Sequence, residues 1–122
     1  MAGDHALELV LRQRRDAEQQ ALEELAAARR AVQSCRLQLG QLRQFRQGYE
    51  NELVGRTRGG MGMNVFASYQ NFLAKLDAIV ARQEQTLERL KADEQTQLLV
   101  YTRRQSERKV IEQLLENHRH AI

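Results

Sequence analysis

The sequence predicts an all-α fold, with two long helices forming an antiparallel coiled-coil hairpin. Three observations carry that expectation. Apolar residues recur every three to four positions over most of the chain. One glycine cluster near the middle interrupts them, placing four of the seven glycines within eight residues. The 122 residues contain no proline to break a helix elsewhere, and aromatics make up only 5% against 29% charged residues. That is the composition of long paired helices rather than of an ordinary globular core.

The elements follow in order. Asp4 is placed to cap a first helix of about residues 5–54. Gly55 to Met63 reads as a loop, because each glycine inside a helix costs about 1 kcal/mol against alanine. Asn64 is placed to cap a second helix of about residues 64–118. Each helix then spans roughly 75 Å, and the chain reads as one hairpin domain over residues 1–122.

Steps of four and three from Leu7 give a stripe through Leu11, Ala21, Leu25, Val32, Cys35, Leu39, Leu42, Tyr49 and Leu53, interrupted by Arg14, Glu18 and Arg46. The same rhythm from Phe66 runs through Tyr69, Leu73, Leu76, Val80, Leu87 and Leu90, turns polar, and resumes at Ile111 and Leu115. A 3.5-residue period of this length marks a coiled-coil seam. When the chain is folded about the glycine loop, opposed positions should add to about 115. Leu42 then faces the Leu73 region, and Arg14 and Glu18 face Glu94 to Arg104. The same register leaves everything after Lys109 without a partner, so Ile111, Leu114 and Leu115 would project uncovered from the open end.

Little in the sequence supports catalysis, a cofactor or a metal. His118 and His120 stand two apart and diverge on a helix, so solvated helix-end histidines are expected. Cys35 lies on the seam and reads as an inert buried thiol, and a single cysteine excludes an intrachain disulfide. The glycine loop lacks the preceding strand and the Gly-Lys-Ser/Thr ending of a phosphate loop. A net charge of +3 is too small to argue nucleic acid by itself. No stretch nears the roughly 18 apolar residues of a membrane span, so no direct membrane insertion is expected.

Apolar residues beyond the seam carry more information. Phe45, Phe72 and Ile79 sit just off the stripes, beside Leu42, Tyr49 and Tyr69, and widen the apolar strip near the loop. Two readings stand: the rings thicken a small core, or they anchor a partner. Arg12, Arg14, Arg15 and Arg103, Arg104, Arg108, Lys109 should converge near the open end as a basic collar able to steer an acidic partner.

The opening His5-Ala6-Leu7-Glu8, the run Gln38, Leu42, Phe45, Tyr49, the glycine-rich turn, and Ser68-Tyr69-Gln70-Asn71-Phe72 followed by Leu76 together resemble the FliJ family of flagellar export proteins over about residues 5 to 118. The resemblance implies a cytoplasmic, non-enzymatic part of the flagellar type III export apparatus, peripherally associated with the cell membrane. Its fold would be similar to the antiparallel coiled coil of the rotary ATPase γ subunit. The implied partners are the hexameric export ATPase, the cytoplasmic domain of the export gate membrane protein, and export chaperones. Carried onto matching positions, the gate-facing surface falls on Gln38, Leu42, Phe45, Tyr49, Phe72, Leu76 and Ile79. Phe45 stands where a tyrosine is usual, and Gln83 replaces a ring-bearing polar residue. Beside the resemblance, the open end suggests Arg104, Arg108, Ile111, Leu114 and Leu115 as the ATPase-ring contact. Competing expectations are a virulence type III secretion stalk, a plain structural coiled coil, and a nucleic-acid-binding helical arm.

Overall fold

The computed structural model describes residues 2–121. It is all-α, as expected: α1 runs Ala2–Arg58 and α2 runs Met63–His120, and the two helices pack against each other. Both are longer than the glycine count implied, and the connection shrinks to residues 59–62. Gly55 stays helical because the last turn of α1 is held in several ways. Thr57 Oγ1 donates to the Leu53 carbonyl at 2.8 Å, and Arg56 pairs with Glu52 one turn earlier at 3.2 Å. Arg56 and Arg58 also sit at the negative end of the helix dipole. Gly59 N–H and Gly60 N–H then donate back to the carbonyls of Gly55 and Thr57. Gly60 makes the reversal at φ +91°, a left-handed conformation that side chains resist.

The expected caps are also displaced. Asp4 lies within the first turn of α1, where its carboxylate meets His118 at 3.1 Å. Asn64 lies inside α2, and its carbonyl accepts the Ser68 hydroxyl.

The chain divides into two compact units, residues 1–30 with 92–122 and residues 31–91. In a pair of long helices each residue meets only its own level, so contacts gather into segments. The terminal unit buries Leu11, Ala21, Leu25 and Leu115; the loop unit buries Val32, Cys35, Leu39, Leu53, Leu73 and Leu76. These are the seam positions that the 3.5-residue period selects.

The register differs from expectation. Arg14 bonds Glu107 and Glu18 bonds Arg108, not the 94–104 stretch. Leu42 lines a groove with Gln83, whereas Leu73 shares one with Leu53 and Val54. The physical reason is the short connection: moving the fold point to Gly60 slides α2 along α1. The apolar overhang therefore does not exist. Leu115 is 5% exposed, and Arg119 and His118 meet Glu8 and Asp4 near the start of α1.

Candidate functional site

In the loop unit the two flanks of the seam differ in chemistry, and in each unit ion pairs bridge the helices along one flank. In the terminal unit these are Glu8 with Arg119 and Arg15 with Glu112; in the loop unit, Arg43 with Glu84 and Arg46 with Asp77. Arg46 also grips Glu50 one turn along α1. These carboxylates hold the Arg46 guanidinium above its ordinary pKa, and Arg46 holds Asp77 below the usual carboxylate range.

In the loop unit, the other flank carries rings. Phe45 packs edge-on against Phe72 with centroids 6.5 Å apart. Phe72 meets Tyr49 at 4.6 Å, and Tyr49 stacks on Tyr69 at 4.9 Å. Offset and edge contacts of this kind favour the ring quadrupoles and fix the rings relative to one another. The Tyr69 hydroxyl donates to Glu52 at 3.3 Å, and Arg56 lies 5.7 Å over its ring. Burial is the chief cause raising the pKa of that hydroxyl.

The cluster is supported from below and open above. Leu76, 6% exposed, is part of the core. Leu42 and Tyr49 are half-buried. Phe45 remains 56% exposed, and Phe72 and Ile79 are exposed as well. Gln38 is exposed and accepts a bond from Gln83 Nε2, which also reaches Cys35 Sγ at 3.4 Å. Cys35 itself is buried and free. Gln38, Gln41, Leu42, Phe45 and Gln83 line a groove of about 520 Å³. The rings pack on one another and still present apolar surface to solvent.

Among the described residues, the terminal unit has no such cluster. Four of the seven cations of its expected basic collar are held in ion pairs. Arg108 chelates Glu18 at 2.8 and 3.0 Å and also bonds Glu112, while Arg14 and Arg104 share Glu107. Glu18 lies below the ordinary carboxylate range chiefly because Arg108 donates to it, and Glu112 chiefly because Arg15 does. Arg108 is raised in turn. Arg12, Arg103 and Lys109 have no ion pair among the described residues. Ile111 is half-buried and Leu115 is core, so Leu114 and Val110 are the apolar side chains left exposed near this end of α2. His118 is not simply solvated either, since it is lodged beside Asp4 and Gly3. A Cβ at Gly3 would stand 2.9 Å from its Nε2.

Among the described residues, no group of three His, Cys, Asp or Glu side chains is gathered to hold a metal ion. No described helix is long and apolar enough to cross a membrane.

A helical hairpin with interhelix ion pairs and, in its loop unit, a cluster of partly exposed rings defines a two-helix coiled coil. Residues 3–121 match the family model of the flagellar FliJ protein, and the chain belongs to that family. It is therefore a flagellar export protein, tied to flagellum biogenesis and motility, in a family that is a non-enzymatic component of the export apparatus. No curated protein and no solved structure matches the chain.

Proposed function

We propose that the chain is a coupling part of the export apparatus, acting in the cytoplasm at the membrane-bound machinery. The loop unit docks on the cytoplasmic domain of the export gate through Leu42, Phe45, Tyr49, Phe72 and Ile79. Leu76 supports that surface from the core, and Gln38 borders it. The terminal unit engages the hexameric export ATPase, and the chain helps hand over export chaperones and their cargo.

The observation that carries this reading is the exposure of Phe45, Phe72 and Ile79 on one flank of the loop unit. Monomeric proteins seldom leave such a cluster to water unless it meets something. Aromatic anchors surrounded by half-buried neighbours are the usual centre of an interface. A nucleic-acid arm is less well supported, since six interhelix arginine–carboxylate pairs consume much of its basic charge. At the terminal unit, Leu114 and Val110 are the better candidates for ring contact, because Arg104 and Arg108 are held by carboxylates of their own chain.

Phe72→Ala tests the docking reading when affinity for the gate's cytoplasmic domain and melting temperature are measured on the same variant. The expectation is a loss of about 1–4 kcal/mol in binding with little change in melting. Intact binding with a lower melting temperature would assign the ring to the core instead. For the ring contact, Leu114→Glu is a cleaner probe than deleting residues 110–122, which would also strip the Leu115 side chain from the core. Normal stimulation of the ATPase by Leu114→Glu would remove that contact from the account.

A further inference from the structure

The aromatic flank of the loop unit has a basic edge. Phe72 and Ile79 stand seven residues apart on α2, and three positions beyond each comes a cation, Lys75 and Arg82. Arg89 continues the row at the same seven-residue interval. Residues three apart are surface neighbours on a helix, so this row runs alongside the apolar one. All three cations are exposed, and none forms an ion pair among the described residues. The opposite flank behaves differently: there Arg43 and Arg46 are tied to carboxylates across the seam. On α1 the aromatic flank is edged by Ser34, Gln41 and Gly48, which carry no charge.

We propose that this face takes an amphipathic helix whose apolar side seats over Phe45, Phe72 and Ile79 and whose one acidic edge lies along Lys75, Arg82 and Arg89. This rests on the reading of the aromatic flank as the docking face and adds the chemistry of its occupant. A helix fits because both rows keep a seven-residue repeat, the spacing at which a third helix meets a two-helix seam in successive heptads. A carboxylate-bearing edge fits because three unpaired cations lie on one side only, and matching charge along one edge sets direction and register more than raw affinity. A second copy of this chain fits poorly, since it would bring the same basic row into play. A nucleic acid strand would need rings free to stack on bases, whereas Phe45, Phe72, Tyr49 and Tyr69 are engaged with one another.

The test uses the full chain and two labelled designed peptides of about three heptads. They share one apolar face, and one peptide carries glutamates and the other lysines along a single edge. Fluorescence anisotropy at low salt should show the acidic peptide binding roughly tenfold tighter, with the gap narrowing as salt rises. The variant K75E/R82E/R89E should reverse the preference, and K75Q/R82Q/R89Q should abolish it, with helicity unchanged by circular dichroism. The control R12E/R29E/R30E, carrying the same charge change away from this face, should keep it. Equal affinity for both peptides would overturn the inference, as would an equal effect of the control. Displacement of the acidic peptide by a single-stranded oligonucleotide at matching concentration would overturn it in favour of nucleic acid. Phe72→Ala separates the two claims. If it weakens both peptides while the row variants change nothing, the docking face stands and the acidic edge falls. If it weakens neither, the docking face itself fails.

Discussion

The terminal unit and the loop unit share one helix pairing but fill it differently. Around the middle of the terminal unit the seam holds Arg14, Glu18, Arg104 and Arg108, satisfied by carboxylates and guanidiniums of the same unit. At matching depth the loop unit holds Val32, Cys35, Leu39 and Leu76, flanked by a ring cluster. The side chains of Glu18 and Arg108 are 16% and 20% exposed, so their attraction is screened far less than that of a surface pair. A partly buried pair gains little over well-packed apolar residues, yet leaving one member alone is costly. The terminal unit has therefore used its seam polarity to fix register and pairing. The loop unit fixes its own position by packing and has apolar surface left over. The unit with surplus apolar surface is the one proposed for docking.

The largest effect that sharpens this contrast is a core truncation in the loop unit. Leu39→Ala removes a side chain 2% exposed and should cost about 2–4 kcal/mol, read from chemical denaturation. Glu18 stranded by Arg108→Ala should lower the melting temperature, by less than the core truncation does. Replacing both by leucine should instead hold or raise the melting temperature. If the double leucine variant melts well below the parent with helicity and oligomeric state unchanged, the pair is worth more than its register role and the contrast breaks.

Acid should separate the units next. Glu18 and Glu112 have lowered pKa values in the folded chain, so their contribution is present in full above the ordinary glutamate value of about 4.3. It is lost as pH falls through the depressed folded values. Asp77 makes the same kind of contribution in the loop unit, but alone. Amide resonances followed from neutrality to about pH 2 should therefore show the terminal unit loosening before the loop unit. Simultaneous loosening would mean that the charged seam carries no special weight.

The smallest effect concerns the connection. Gly60→Ala places a Cβ on a left-handed residue with open space around it, so the strain is in the backbone alone. A loss of about 1 kcal/mol is expected, with both units otherwise unchanged by amide shifts.

The seam was legible in the sequence because burial at a 3.5-residue period needs no knowledge of the partner helix. Leu25, Val32, Leu39, Leu73 and Leu76 all fall where the stripe puts them. Register was not legible, because sliding one helix by a heptad preserves the same stripe. What decided it was the length of the connection. That depended on whether Gly55 to Arg58 held a helical turn, through a Thr57 side-chain bond and an Arg56–Glu52 pair that glycine counting ignores. The expected overhang followed from the register, and Arg108 looks free until Glu18 is placed opposite it. Phe45, Phe72 and Ile79 were visible as apolar residues off the seam. The basic row beside them was equally present in the seven-residue spacing of Lys75, Arg82 and Arg89, but a row of charges has no meaning until one knows that it borders an open face.

Hydrogen exchange of the full chain, alone and with the cytoplasmic domain of the export gate, tests most directly whether the aromatic flank of the loop unit is the docking face. Backbone amides in helices exchange slowly already, so the signal sought is added protection at local openings. The account predicts added protection concentrated in residues 38–49 and 72–83. Protection confined to residues 2–30 and 92–121, or absent from the loop unit while the two proteins are shown to bind, would contradict it.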